Sequence, residues 1–244
     1  MTASRIQVSL NGAIVPENHP QLRLSLQDLV QDAVACARLG ASDFHVHPRN
    51  KNRFEAIDAE TVETWVTAFR IELPRATISV STGAWIAPLA ERLDAIAGWC
   101  VKPDYASVNF HEDGAEEVAN ALLDRGVGVE AGVWHQEGAR RFLNYARRSE
   151  CRRLMFEMPD ESPSTAEAVL QGANELLGGV SDGHDLILHG EGRSAWPMLG
   201  LALDKGMGAR IGLEDTVWLP DGRLARDNAS LFAAAVRLMS SAAR

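Results

Sequence analysis

The chain alternates short apolar runs with longer helical stretches eight times, and this alternation constrains its fold more than any other feature. The runs have the length and composition of buried strands, and helical periodicity resumes after each. Strict alternation predicts parallel strands joined by right-handed crossovers. The predicted strands cover residues 5–11, 43–47, 76–81, 105–110, 127–133, 153–158, 186–189 and 209–214.

The count of these units distinguishes between two α/β architectures. The predicted helices cover residues 24–39, 58–73, 88–99, 115–123, 138–148, 164–177, 195–204 and 229–242, with Ser164 as the N-cap of the sixth. Eight units of about 30 residues match a (β/α)8 barrel. A doubly wound open sheet would carry a Gly-rich phosphate loop after its first strand, and LNGAIVPENHP is not one. We therefore predict one TIM-barrel domain over residues 1–244.

Charge and hydropathy limit the partners of the chain. Its formal net charge of −9 argues against duplex nucleic acid or an anionic membrane, since both require a positively charged face. No run approaches the roughly 18 apolar residues of a membrane span, and MTASRIQVSL lacks a signal-peptide pattern. The three cysteines, an odd number at wide spacing, indicate reduced thiols. We expect a cytoplasmic protein that acts on small molecules.

Polar side chains collect at the carboxyl ends of the predicted strands, where barrel enzymes place their chemistry. Burying so many polar groups is unfavourable unless they bond to one another or to a ligand, so the pattern predicts a binding site at this rim. These residues are Asn11, His45, His47, Ser81, Thr82, Ser107, Asn109, Glu130, Glu157, His189, Arg210, Glu214 and Asp215.

The pair His45 and His47 is the most specific of these features. Strand side chains alternate between faces, so both imidazoles point the same way and can bind one metal ion. With a carboxylate they make the three-ligand site of a catalytic zinc, and Glu214 is the first choice because strand eight closes beside strand one. Glu130 and Glu157 remain alternative carboxylates, and two hydrogen-bonded structural histidines are the alternative to a metal site.

The sequence leaves the role of His189 open, but it allows an interpretation of the tryptophans. His189 is compatible with a fourth ligand, a substrate contact or a buried core residue. The six tryptophans form no stripe along the sequence, and we interpret them as packing residues.

Seven short fragments, in a fixed order along the chain, carry a resemblance to one known family. They are LNGA (10–13), GASDFHVHPR (40–49), VSTG (80–83), KPDYASVNF (102–110), GVGVEAGV (126–133), RIGLEDT (210–216) and DNA (227–229). With them the chain resembles the β-keto acid cleavage enzymes, a zinc-dependent (β/α)8 family, nearly end to end. The resemblance implies an acyltransferase that joins a β-keto acid to acetyl-CoA, giving a new CoA thioester and acetoacetate, in barrels that often form homo-oligomers.

The resemblance also implies roles at the matching positions. Asp215 and Arg210 match a catalytic pair in which Asp215 acts as the base. The residues that match the zinc ligands are His45, His47 and Glu214. The residues that match the keto acid contacts are Ser81, Ser107 and Asn109, with serine in place of a frequent threonine at the second position.

Two positions depart from the pattern of the family. The acidic residue that contacts an amino-bearing substrate in the founding activity is Ile14 here, which predicts a keto acid with an apolar or neutral tail. A carboxylate often found in the fifth strand is replaced by Gly132. Any role of that carboxylate is therefore either absent or moved to Glu130, two places earlier, which we count among the expected substrate-binding residues.

Two other functions share parts of this pattern. A metal-dependent hydrolase on a TIM barrel, similar to the amidohydrolases, also uses an HxH pair. That class carries the pair on strand one and histidines after strands five and six, where this chain has Glu130 and Glu157. A non-catalytic barrel protein would bind no metal tightly. Metal analysis, together with hydrolysis of an amide or lactone without CoA, distinguishes the three functions.

Overall fold

The protein is a closed parallel β-barrel in a computed structural model that describes residues 6–13, 24–160, 162–178 and 183–242. Each strand pairs in parallel with the next, and the last pairs with the first, Ile6 opposite Ala209. The predicted TIM barrel is thus confirmed. The strands are β1 (Ile6–Ser9), β2 (Asp43–Val46), β3 (Thr77–Ser81), β4 (Tyr105–Asn109), β5 (Gly128–Val133), β6 (Arg153–Met158), β7 (Asp185–Gly190) and β8 (Gly208–Ile211).

An α-helix follows each strand and packs on the outside of the barrel. None of the helices in the described ranges is long and apolar enough to cross a membrane. The helices are α1 (Leu26–Arg38), α2 (Ala59–Glu72), α3 (Leu89–Gly98), α4 (Ala115–Asp124), α5 (Gln136–Asn144), α6 (Pro163–Leu177), α7 (Ala195–Asp204) and α8 (Asn228–Ala242).

The start of α6 differs from the prediction. Its N-cap is Ser162, whose hydroxyl accepts a hydrogen bond from the backbone N–H of Thr165. The prediction of Ser164 was wrong by two residues, because Pro163 occupies the first helical position. Proline suits that position, since its missing N–H would have no partner in the helix and its φ is already helical.

The end of β8 also differs from the prediction, with a consequence for function. The strand ends at Ile211, and the N–H groups of Asp215 and Thr216 both donate to the carbonyl of Gly212 in a turn. A Cβ at Gly212 would lie 1.8 Å from the carbonyl oxygen of Ser9, so only glycine permits this approach to β1. The prediction that strand eight continues to residue 214 was therefore wrong.

The interior of the barrel is polar below its carboxyl rim. Arg153 pairs with Glu130 and with Asp43 at 2.7 Å each, and the side-chain amide of Gln7 donates to Glu130 at 2.8 Å. All four residues are buried. We call this set the interior ion network. The apolar core lies instead between the sheet and the helices, where outward-facing residues such as Phe44 are fully buried.

Candidate active site

A cavity of about 560 Å³ opens at the carboxyl ends of the strands. It lies where barrel enzymes bind their substrates. Of the nine residues given a metal-binding, substrate-binding or catalytic role, the structure brings all but Glu130 to its wall, whereas Asn11, Thr82 and His189 of the predicted rim do not line it. The residues on the wall are His45, His47, Ser81, Ser107, Asn109, Arg210, Glu214 and Asp215.

Three side chains in this cavity can hold a metal ion. The candidate ligand atoms of His45, His47 and Glu214 all lie within 4.8 Å of one another. Glu214 Oε1 is 3.3 Å from His47 Nε2 and 4.0 Å from His45 Nε2, while Glu214 Oε2 is buried without a hydrogen-bond partner among the described residues. Two imidazoles and a carboxylate suit Zn²⁺, and a cation would satisfy the unpaired oxygen. The donor set therefore fits a divalent metal ion.

Each histidine is held through its second ring nitrogen. His47 Nδ1 lies 3.1 Å from Glu55 Oε2, and a carboxylate can only accept, so Nδ1 carries the hydrogen. His45 Nδ1 lies 3.1 Å from Ser79 Oγ, whose own hydrogen is donated to Glu130 Oε2 at 2.5 Å. Both contacts keep a hydrogen on Nδ1 and turn Nε2 toward Glu214, so that Nε2 is the nitrogen available to a metal ion.

Glu214 is positioned from two sides. Arg210 donates a hydrogen bond to its Oε1, and the backbone of Gly12 packs against its aliphatic part. Gly12 has φ of +54°, and a Cβ there would lie 2.3 Å from Glu214 Cγ. Both the left-handed backbone and the available space therefore require glycine at this position.

The charges around the metal candidates set their protonation. Burial would raise the pKa of Glu214, but Arg210 and the two histidines hold it well below its usual value. Burial lowers the pKa of His45 to about 4. Burial would also lower the pKa of His47, but Glu214 and Glu55 raise it to about 9. At neutral pH Glu214 is thus an anion, His45 is neutral, and His47 carries an Nε2 proton that a metal ion would displace on binding.

Asp215 lies beside this cluster with both oxygens occupied. Oδ1 accepts from Arg210 Nε at 3.1 Å and from a terminal guanidinium nitrogen of Arg210 at 3.0 Å, and Oδ2 accepts from the hydroxyl of Ser9. Burial would raise the pKa of Asp215, but Arg210 and His189 hold it below its usual value. The result is an oriented carboxylate at the cavity wall that is ionised, and so able to accept a proton, at neutral pH, although its lowered pKa makes it a weaker base than an ordinary Asp.

His189 lies behind Asp215 rather than in the cavity. The ring is fully buried, with Nδ1 3.5 Å from Asp215 Oδ1 and Nε2 3.4 Å from Glu157 Oε2. Burial and Arg210 lower its pKa, but the two carboxylates outweigh them and raise it to about 9. Of the three interpretations left open by the sequence, the geometry favours a core residue, here a cation between two anions.

The residues expected to contact substrate have partners of their own. Ser81 Oγ accepts from the N–H of Gly83 at 3.3 Å. The side chain of Asn109 donates to Glu112 at 3.0 Å and accepts from the indole of Trp134 at 3.2 Å. Ser107 lies on the adjoining wall of the cavity. All three present neutral groups.

Glu130 lies one layer below the cavity. Its side chain is fully buried and bonds to Gln7, Arg153 and Ser79. Through Ser79 it supports the ring of His45. Its place is therefore beneath the candidate metal site and not on the cavity wall, where we had expected it to contact substrate. Ile14, on which the prediction of a neutral tail rests, is outside the described residues.

Three tryptophans that we interpreted as packing residues line the cavity: Trp85, Trp134 and Trp218. Trp85 is 53% exposed, stacks on His47 with ring centroids 6.2 Å apart and donates to Glu55 at 2.9 Å. Glu55 was also missed, because it lies in a loop eight residues after His47 and follows no periodicity. Its only sequence signal is that a carboxylate often supports a metal-binding histidine.

The carboxylates on the opposite wall of the cavity carry little unpaired charge. Glu157 faces the cationic His189, and Asp160 accepts from Arg193 Nε at 3.1 Å. Burial and the neighbouring Glu157 raise the pKa of Glu191 to about 8, so this carboxyl is largely neutral at pH 7. In the described part of the chain this wall presents little free negative charge to a bound molecule.

Comparison with known proteins gives one family. The family model described as beta-keto acid cleavage enzyme matches residues 4–244. A protein of Fusobacterium nucleatum named 3-keto-5-aminohexanoate cleavage enzyme is 24% identical, over 98% of this chain and 92% of that protein. One of the same name from Acetoanaerobium sticklandii is 25% identical, over 96% of this chain and 90% of that protein.

Solved structures share the barrel. A ternary complex of ObcA with a C4-CoA adduct and oxalate matches with a TM-score of 0.70 and 14% identity, over 89% of this chain but 63% of that one. A type I 3-dehydroquinate dehydratase from Clostridium difficile matches with a TM-score of 0.65 and 11% identity, over 99% and 94% of the two chains. At such identities the likeness shows the fold alone.

Proposed function

The chain belongs to the beta-keto acid cleavage enzyme family, and from that premise we propose that it is a zinc-dependent acyltransferase acting on a β-keto acid and acetyl-CoA. The products are a new CoA thioester and acetoacetate. One observation carries the proposal. A potential metal triad and an Arg–Asp pair occupy one wall of the same cavity and share Arg210 between Glu214 and Asp215.

The metal ligands in this proposal are His45, His47 and Glu214. When bound there, a zinc ion supplies Lewis-acid stabilisation of the negative charge that develops on the keto and carboxylate oxygens of the substrate. With a divalent ion bound, two imidazoles that are both neutral as ligands and one carboxylate would leave the site with net positive charge, which suits an anionic substrate.

Asp215 acts as the base that starts the reaction. It removes a proton from the carbon between the keto group and the carboxylate, and the carbanion attacks the acetyl carbon and displaces CoA as a thiolate. The thiolate then attacks the original keto carbon, and the bond between that carbon and the former carbanion carbon breaks. Asp215 returns its proton to the released acetoacetate. The hydrogen bonds from Arg210 and Ser9 keep the carboxylate oriented throughout.

Neutral donors hold the keto acid. The hydroxyls of Ser81 and Ser107 and the amide of Asn109 lie on the cavity wall and add no charge that would oppose the metal ion. For the tail of the substrate we propose a neutral group, apolar or aromatic. The tryptophan walls and the paired carboxylates around Glu191 support this choice, as does Ile14 in the sequence.

The test is an acetyl-CoA-dependent screen of β-keto acids that measures acetoacetate release. We expect His45→Ala and Glu214→Gln to lose bound metal and activity together. Asp215→Asn should retain the metal while its turnover falls by about 10²–10⁴-fold, the contribution of a general base. An Asp215→Asn enzyme with unimpaired turnover removes the proposed base. Hydrolysis of an amide or lactone without CoA favours the metal-dependent hydrolase instead.

A further inference from the structure

We propose that residues 49–55, between β2 and α2, bind the phosphate and adenine end of acetyl-CoA. We call this segment the β2 turn. The identity of the ligand rests on the proposed function, but the features that select the turn are its own.

The β2 turn is a local concentration of positive charge in an acidic chain. The sequence PRNKNRF, residues 48–54, contains Arg49, Lys51 and Arg53 and no acidic residue, whereas the chain has 33 acidic against 24 basic residues. Coenzyme A carries a diphosphate and a further phosphate on its ribose. A protein of net charge −9 repels such a polyanion unless one surface has the opposite sign. The β2 turn provides such a positively charged surface.

Among the described residues, Lys51 and Arg53 lack the ion pairs that several arginines of the same rim form with acidic residues. Arg193, Arg223 and Arg226 pair with acids at 3.1, 2.6 and 3.0 Å respectively. Lys51 and Arg53 are exposed, and neither forms an ion pair with any acid that the structure describes. Their charges are therefore available to an anion from outside the chain.

The backbone of the β2 turn is held in one shape. The side-chain oxygen of Asn50 accepts from the N–H groups of Asn52 at 2.9 Å and Phe54 at 3.3 Å, and the carbonyl of Asn50 accepts from the N–H of Arg53 at 2.8 Å. Arg53 has φ of +66°, a left-handed conformation that is uncommon for a residue with a side chain. A preorganised turn of this kind loses less entropy on binding a ligand, and such strain collects at ligand sites.

The base of the β2 turn is joined to the active site. Arg49 and Glu55 form an antiparallel bridge, and Glu55 contacts both His47 and Trp85. Arg49 also donates to the carbonyl of Gly12 at 2.9 Å. The tip of the turn thus stands outside the cavity while its base forms part of the metal surroundings. The long pantetheine arm of CoA can join these two places, with the thioester at the cavity and the phosphates at the tip.

Phe54 supplies a surface for the adenine ring. It is 71% exposed, although exposure of a phenylalanine to water is unfavourable. Aromatic side chains beside cationic groups are a common means of binding nucleotides, since the ring stacks on the base while the cations contact the phosphates. A second cavity, of about 540 Å³, lies between the turn and the starts of α1 and α2. Lys51 and Arg53 line it, but so do Asp58 and Glu60, so it offers room for the uncharged ribose ring rather than for the phosphates.

The experiment compares acetyl-CoA with acetyl-pantetheine, which has the same thioester and arm but lacks the nucleotide and its phosphates. The variant is Lys51→Glu/Arg53→Glu, and the matched control is Arg152→Glu, an exposed charge reversal at the opposite end of the barrel. We expect the variant to raise the KM for acetyl-CoA at least about tenfold relative to the KM for acetyl-pantetheine, since two charge-assisted contacts are lost. The control should leave that ratio unchanged.

Direct binding separates a failure of this inference from a failure of the proposed function. Calorimetric titration with CoA itself needs no turnover. We expect Lys51→Glu/Arg53→Glu to weaken CoA binding. Adding Phe54→Ser to this double variant should weaken CoA binding further. If CoA binding depends on the β2 turn but the protein cleaves no β-keto acid, the assignment of the turn is supported and the proposed function is rejected. Equal effects on both thioesters, or unchanged CoA affinity, would overturn the turn assignment. So would a change confined to the oligomeric state, which would identify the turn as an interface between copies.

Discussion

Glu55 shows how one loop residue can position a candidate metal ligand from outside the candidate ligand set. Its carboxylate accepts the Nδ1 hydrogen of His47 and the indole hydrogen of Trp85. These bonds set the tautomer of the imidazole and restrict the rotation of its ring. At the scale of the residue, the geometry of the candidate site therefore depends on side chains outside the ligand set.

Replacing Glu55 by alanine should weaken metal binding by about 10–100-fold, the usual effect of removing a carboxylate that supports a ligating histidine. The affinity for Zn²⁺ can be measured by competition with a coloured chelator. Glu60→Ala, in the first turn of α2 and exposed, is the matched control. A Glu55→Ala protein that binds zinc as tightly as the control would mean that His47 is positioned by packing alone.

Gly12 is a second residue that acts on a ligand through contact. A methyl group there would overlap the side chain of Glu214 and would also strain the backbone at φ +54°. We expect Gly12→Ala to displace the Glu214 carboxylate and reduce zinc affinity. Gly222→Ala, which has φ of +82° but no atom within 4 Å of the added carbon, controls for backbone strain. Similar zinc affinities in the two variants would contradict the steric role.

At the scale of elements, the turn after β8 joins the two parts of the site. In a strand, Glu214 and Asp215 would face opposite sides of the sheet. Because β8 stops at Ile211 and the chain turns, both carboxylates reach the cavity and both accept hydrogen bonds from Arg210. A single guanidinium therefore links the candidate metal ligand to the candidate base.

The interior ion network links β1, β2, β5 and β6 below the cavity, and Arg153 is its only cation among the described residues. Arg153→Met should destabilise the protein by about 3–5 kcal/mol, because it leaves Glu130 and Asp43 buried without their partner. The free energy of unfolding in urea measures this loss. The exposed neighbour in Arg152→Met should cost no more than about 0.5 kcal/mol. Equal losses in both variants would refute a structural role for the network.

At the scale of the whole molecule, the closed barrel would couple the binding of a metal ion at the candidate site to the stability of the fold. The three candidate ligands come from β2, from the residue after it and from the turn after β8, so unfolding separates them. A ligand that binds only the folded state stabilises that state by an amount set by its concentration relative to Kd. Metal removal should therefore be visible in the thermal unfolding of the entire chain.

Zinc at about 100 times its Kd should stabilise the fold by about 2.7 kcal/mol, which raises Tm by roughly 5–10 °C for a chain of this size. Scanning calorimetry with zinc and then with a chelator measures the shift. His45→Ala, which lacks one ligand, should show no zinc-dependent change. A shift of equal size in that variant would place the stabilising ion elsewhere on the protein.

The amino-acid sequence by itself determined the architecture and the rim at which polar residues collect. Both follow from local periodicity, since apolar runs alternate with helical stretches and strand side chains alternate between faces. His45 and His47 could be paired for the same reason, because their spacing of two lies within one strand.

Tertiary structure decided which carboxylate faces these histidines. Glu130, Glu157 and Glu214 all lie on predicted strands, but only Glu214 is carried by a turn to within reach of both rings. The contact of Glu55 with His47 and the exposure of three tryptophans to the cavity also depend on how loops cross the mouth of a closed barrel. The periodicity of the sequence describes a single strand or helix. These contacts join elements that are far apart in the chain, and no local sequence pattern indicates how such elements pack together.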